Sequence, residues 1–412
     1  MPSPAEVISG CRSCGSNGLE LVLDLGLMPL SDGLVQRGFD RTEEERYPLT
    51  LVWCPTCSLV QILETVDPTT LFGSDYPYYS SFSPALVEHA RANVEGIIQR
   101  TGVDEQALVV ELASNDGYLL QWFQKEGIPV LGIDPAPGPV ASAREKGIDT
   151  ICDFFTPELA RQLVREGKRA DVIVGNNVLA HVPDQNLFVA AIADLLSENG
   201  TVVMEFPYVK DMIDHCEFDT IYHEHHCYFS LTAAIALFRR QGLEIVSVDR
   251  LPIHGGSLRI YASRDGQPDD SVEALLAEER ASGLLEATYY QGFSRRAARI
   301  RDDLRHLLND QKRTGARIAA YGAAAKGAIL LNFCGVDESV IEYVVDRNSH
   351  KHGWEMPGVA IPIDAPERLR RDIPDLLLIL AWNFKDEIIE QQAWFADQGG
   401  RFIVPIPEPS LV

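Results

Sequence analysis

The sequence predicts an α/β protein in three parts: a cysteine-bearing N-terminal module, a central doubly wound, Rossmann-like parallel sheet, and a smaller C-terminal α/β unit. Three observations carry this. Cys11-x-x-Cys14 and Cys54-x-x-Cys57 form two paired-thiol knuckles near one end of the chain. From residue 107 onward, apolar runs alternate with stretches of helical periodicity, and the same rhythm restarts at residue 316. The boundaries are placed at 1–75, 76–265 and 266–412.

The 412 residues are 46% hydrophobic, enough to bury sizeable cores in roughly two to four domains. With 36 Lys and Arg against 60 Asp and Glu, the formal charge of −24 repels nucleic-acid backbones and anionic lipid, so neither is an expected partner. The start, "MPSPAEVISGCRSCG", lacks a basic segment and an apolar run and does not read as a signal peptide. No window approaches the roughly 20 apolar residues of a membrane helix. A cytoplasmic, monomeric protein acting on a small molecule is expected.

Eight cysteines in a chain of this length are not a secreted disulfide scaffold, so spacing matters more than number. Each Cys-x-x-Cys pair puts two sulfurs on one tight knuckle, and two knuckles make the four-thiolate cage that Zn²⁺ prefers. Cys11, Cys14, Cys54 and Cys57 are therefore expected to hold a structural zinc, with an inserted hairpin or loop between the pairs. Cys152, Cys216, Cys227 and Cys334 read as packing residues.

In the central part "ALVVELA", "PVLGID", "DVIVGNN" and "TVVMEF" read as strands, and "LEIVSVDRLP" with "SLRIYASR" as an antiparallel pair at the sheet edge. "ALVEHARANVEGIIQR", "PELARQLVREG" and "NLFVAAIADLLSENG" carry helical periodicity. The first strand runs into a turn with Ser114, Asn115, Asp116 and Gly117, whose amides can face a ligand at the carboxyl end of the sheet. This is not G-x-G-x-x-G. A glycine-poor loop disfavours a pyrophosphate and fits a cofactor with a carboxylate, a ribose and no phosphate. Asp134, ending the second strand, can accept from both ribose hydroxyls; Asp153 and Phe154 can meet an exocyclic amine and an aromatic face. Glu111, Asn176 and Asn177, at the ends of their strands, complete the cofactor candidates. In order, these favour S-adenosylmethionine over a nicotinamide. The alternative is a nucleotide-sugar oxidoreductase or epimerase using a nicotinamide cofactor.

A helical tract from Asp270 to Lys312, interrupted at Gly283 and Gly292, leads into the last unit. There, small residues in "YGAAAKG" allow close ligand contact. Lys326 at a helix start could neutralise a phosphate, and Arg347 and Lys351 follow the next strand towards the same crevice. Tyr321 and Gly322 open this second ligand loop.

"YHEHHCYFS" packs His223, Glu224, His225 and His226 into consecutive positions, and adjacent side chains point in different directions, which disfavours a metal. Acid/base chemistry needs one imidazole, a carboxylate to fix its tautomer, and a phenol. His181 in "NNVLAHVPD" lies on the same sheet edge.

Taken together, "CRSCG", "CPTC", "ELASNDG", "YHEHHCYFS", "HGGSLR", "YGAAAKG" and "VDRN" resemble the nucleotide-sugar C-methyltransferases that build branched deoxysugars for antibiotics, along essentially the whole chain. The resemblance implies a zinc-binding module, a central class I methyltransferase domain and a C-terminal domain that helps hold a dTDP-linked keto-deoxysugar. It places the active-site residues on Tyr76, His181, Tyr222, Glu224 and His225. His225 becomes the base that removes the C3 proton of a 4-keto-2,6-dideoxyhexose or its 3-amino relative, and Glu224 an orienting or polarising group. His181 and Tyr222 are candidate donors to the C4 oxygen, with Tyr76 closing the pocket. One departure stands out: Ala323, Ala324 and Ala325 precede Lys326 where hydroxyl-bearing residues are expected.

Overall fold

The computed structural model describes residues 5–71 and 79–412. Tyr76 therefore lies outside the described residues. The central sheet has seven strands in the order Glu244–Leu251, Ser257–Ser263, Leu196–Pro207, Ala170–Asn176, Val109–Leu112, Val130–Asp134, Thr150–Cys152. The five from Leu196–Pro207 to Thr150–Cys152 pair in parallel, and the edge pair is antiparallel as expected. Strand order reverses between Val109–Leu112 and Ala170–Asn176, the switch point where an open α/β sheet leaves a crevice for a ligand.

The first helix of this unit shows how local sequence sets its ends. Ser83 accepts from the Leu86 amide, Pro84 occupies the first turn, and Gly102 at φ 69° closes the helix Pro84–Thr101. Leu86, Ala90, Val94 and Ile97 repeat at helical spacing and are buried against one sheet face. Burying each of the larger three is worth about 1.5–3 kcal/mol. Helices Pro157–Arg165, Gln185–Leu195 and Leu231–Arg240 cover the other face. One helical stretch ends earlier than its periodicity suggests: Leu196 pairs with Ala170, so the strand claims "LSENG".

The N-terminal insertion between the cysteine pairs is a hairpin of Glu20–Met28 and Tyr47–Trp53, extended by Val60–Ile62. Its fourth strand is Cys227–Tyr228, from the histidine segment. The C-terminal sheet has six strands, five of them parallel, and the helical tract breaks into Asp270–Ala281, Ala287–Gln291 and Phe293–Arg313, as the two glycines suggest. Val35–Gln36 pairs with Trp354–Glu355, and one continuous core runs from Val22, Leu51 and Trp53 through Phe218 to Leu304 and Leu330. The hairpin, the histidine segment and the C-terminal unit thus share apolar surface. Among the described residues no helix is long and apolar enough to cross a membrane.

Candidate active site

The cysteine knuckles have matching backbones. Gly15 donates to the Cys11 carbonyl at 2.9 Å and Ser58 to the Cys54 carbonyl at 2.8 Å, and both residues take positive φ (74° and 61°). All four sulfurs lie within 4.8 Å of one another, with Cys11 to Cys57 at 3.5 Å and Cys14 to Cys54 at 3.6 Å. A tetrahedral zinc with 2.3 Å bonds requires sulfurs ~3.8 Å apart, so the donor set fits. Asn186 donates to the Arg12 and Ser13 carbonyls at 2.9 and 3.0 Å, which docks the knuckle on the central unit. Of the other cysteines, Cys216, Cys227 and Cys334 are buried, whereas Cys152 is exposed and is not a packing residue.

At the crevice, Ala113, Asn115 and Gly117 all take positive φ, folding the loop tightly over the sheet. A Cβ on Gly117 would lie 2.4 Å from Ile148 Cδ1, so only glycine fits there. Asp134 accepts from the Asn115 and Ala136 amides at 2.9 and 2.8 Å, and its oxygens keep further acceptor directions for a ribose. Glu111 is buried; burial, then the charges of Asp134 and Asp116, push its pKa well up, and the Leu120 amide offsets this only in part. Ser114 Oγ, Asp116 Oδ1, Asn176 Oδ1 and Asn177 Oδ1 are buried without hydrogen-bond partners among the described residues. Three converging carboxyls would repel a pyrophosphate and suit the ammonium and sulfonium of S-adenosylmethionine. Phe154 is half-buried; Asp153 is exposed and its carboxylate accepts from the Phe154 amide at 2.8 Å, a turn contact an adenine amine would have to share.

The histidine segment divides by side. His223 and His226 are fully buried, and His223 Nε2 donates to the Pro48 carbonyl at 2.9 Å. The half-buried His225 keeps other company, its ring centroid 4.1 Å from that of Tyr222 and 4.6 Å from that of His181. Its Nδ1 lies 3.1 Å from the Thr220 carbonyl. A carbonyl only accepts, so Nδ1 carries the proton and Nε2 the lone pair. Burial, reinforced by the neighbouring His181, holds its pKa well below the usual histidine range. Burial also lowers His181 to about 4, and its ring hydrogen-bonds the Glu224 carbonyl. Glu224 is buried; desolvation and then the charge of Asp32 push it up to about 7. Pairing of Cys227–Tyr228 with Val60–Gln61 clamps the segment from the zinc-module side.

The C-terminal candidates are only partly brought together. Tyr321 is buried at its strand end and Gly322 takes φ 91° against Ala381. Lys326 Nζ sits 4.4 Å from the ring centroid of Trp382, whose Nε1 donates to Asp219 of the central unit at 2.7 Å. Lys351 Nζ donates to the Ala323 carbonyl at 2.7 Å, beside Lys326. Arg347 is exposed and lies 3.5 Å from Glu387, with its charge still acting on Tyr321.

Sequence reasoning missed several residues of the crevice. Ser31 donates to Glu224 Oε2 at 3.0 Å. Glu205 is buried between His89 at 2.8 Å and Arg259 at 2.7 Å; burial works against its charge, but these partners prevail and its pKa is lowered. His254 takes φ 56°, in the left-handed region, and burial lowers it to about 4. Only the glycines of "HGGS" signalled that last turn.

The strand order, the acidic loop and the thiolate cage define a class I, S-adenosylmethionine-dependent methyltransferase bearing a zinc module. Family models described as "Putative zinc binding domain", "Methyltransferase domain" and "C-methyltransferase C-terminal domain" match residues 11–72, 86–248 and 252–407. C-methyltransferase NovU of Streptomyces niveus is 36% identical over 98% of this chain and 97% of its own. The chain belongs to this C-methyltransferase family, and the nicotinamide alternative finds no support. A ubiquinone biosynthesis O-methyltransferase of Bartonella quintana is 30% identical over 24% of this chain and 40% of its own. The solved PH0226 protein from Pyrococcus horikoshii OT3 aligns with 48% of this chain and 97% of its own at 13% identity and a TM-score of 0.38.

Proposed function

We propose that this C-methyltransferase methylates C3 of a dTDP-linked 4-keto-2,6-dideoxyhexose, or its 3-amino relative, with His225 as the base. The observation that carries the reading is the His225 tautomer: Nδ1 is committed to the Thr220 carbonyl, so the unprotonated Nε2 is the nitrogen available to the crevice. A ring kept neutral by burial is always ready to accept a proton, and the imidazolium formed is stabilised by the enolate it faces. Neutral His181 has one N–H, and its bond to the Glu224 carbonyl uses it. The donor to the C4 oxygen is then Tyr222, with His181 orienting the segment. Tyr76 keeps its proposed place closing the pocket.

Glu111, Ser114, Asn115, Gly117, Asp134, Asp153, Phe154, Asn176 and Asn177 would hold S-adenosylmethionine, which supplies an electrophilic methyl group when bound. Tyr321, Gly322, Lys326 and Lys351 would hold the sugar nucleotide, with Arg347 at the rim. The division at residues 75 and 265, a monomeric state and a cytoplasmic location belong to the same reading. Incubating the enzyme with a sugar nucleotide in deuterated water is the test. Deuterium at C3, lost with His225→Gln while cofactor affinity survives, supports the reading; a fully active His225→Gln enzyme, or a methyl group on oxygen or nitrogen, overturns it.

A further inference from the structure

The turn that follows Met28 brings the zinc module to the reacting groups. Gly33 donates to the Leu30 carbonyl at 3.1 Å and Leu34 to the Asp32 carbonyl at 2.8 Å, closing a tight turn that carries Ser31 and Asp32. A Cβ at Gly33 would come within 3.1 Å of the Leu30 carbonyl oxygen, a close approach that glycine eases. Ser31 is 2% exposed and its hydroxyl donates to the Glu224 carboxyl, which is also buried. The Asp32 amide also holds that carboxyl. On the far side, the Asp32 carboxylate lies 3.9 Å from Lys351 Nζ of the C-terminal unit. One side chain from each of the three parts of the chain meets in the line Lys351, Asp32, Glu224.

We infer that Ser31 and Asp32 are positioning residues for Glu224: the Ser31 hydroxyl fixes its carboxyl, and Asp32, restrained by Lys351, places a negative charge beside it. This rests on Glu224 working in the site described above. The other titratable groups facing Glu224 are uncharged: His181, bonded to its carbonyl and neutral through burial, and Tyr228, whose phenol burial keeps protonated. Asp32 is therefore the neighbour that keeps a proton on Glu224 near neutrality, after burial itself. The zinc module is thus a wall of the active site as well as a support for the fold.

The test uses the full-length, zinc-loaded protein with ¹³C-carboxyl-labelled glutamate, following the resonance that Glu224→Gln removes. Asp32→Asn is expected to lower its titration midpoint by about one pH unit, and Lys351→Met to raise it. Ser31→Ala is expected to lower kcat roughly tenfold at unchanged zinc content, with Ser31→Thr restoring it. A midpoint unmoved by either charge change, or full turnover by Ser31→Ala, overturns the inference. The midpoints need no substrate, so a wild-type enzyme that methylates no sugar nucleotide would sink the proposed function and leave this result standing.

Discussion

Trp382 Nε1 donates to Asp219 Oδ2 at 2.7 Å, a direct bond between the C-terminal unit and the excursion that leads into the histidine segment. The same indole carries Lys326 over its face. Asp219 is fully buried and pushed up to about 6, chiefly by desolvation. Trp382→Phe keeps an aromatic face for Lys326 but strips Asp219 of its donor, at a cost of about 1–3 kcal/mol. Calorimetric melting should show that loss, and the KM for sugar nucleotide should rise more than kcat falls.

Glu111 offers a test in which binding and stability move in opposite directions. Its folded pKa is raised, so the folded state binds the proton more tightly than the unfolded chain, and stability falls as pH climbs above the ordinary glutamate value. Glu111→Gln should weaken S-adenosylmethionine binding by about tenfold or more, yet stabilise the ligand-free protein at pH 8 by about 1–2 kcal/mol. Isothermal titration and melting curves at two pH values read both effects.

The pH dependence of turnover should separate the two central groups. Burial depresses His225 and His181, the latter to about 4, whereas Glu224 is pushed up to about 7. The inflection near neutrality in kcat/KM should therefore vanish in Glu224→Gln. A wild-type profile retained by that variant would assign the inflection elsewhere.

Loss of the zinc cage should reach the chemistry. Cys54→Ser is expected to release the metal and lower Tm by at least about 5 °C, because closed thiolate sites contribute folding energy. Since Cys227–Tyr228 is the fourth strand of the zinc-module sheet, turnover should drop with zinc content. Metal analysis alongside the assay checks the link.

Much of this molecule follows from near-neighbour chemistry that a linear reading can follow. Two Cys-x-x-Cys knuckles, the period-2 and period-3.6 runs, the Gly283 and Gly292 breaks and the glycine-poor loop after Val109–Leu112 each depend on residues a few positions apart, where backbone sterics and side-chain spacing leave few options. Apart from "LSENG", which pairing with Ala170 drew into a strand, their fates agree with expectation because nothing distant competes with them.

The candidate site was decided over long separations. Which histidines of the segment are fully buried and which is left half-buried depended on Pro48 and Val60–Gln61 taking up one side, and no local period encodes that choice. Ser31 meets Glu224 across 193 positions, and Arg347 pairs with Glu387 across the C-terminal unit. Such contacts exist only once separate apolar faces have packed into shared cores, because the burial that joins distant segments constrains overall shape far more than the identity of the polar groups it brings together.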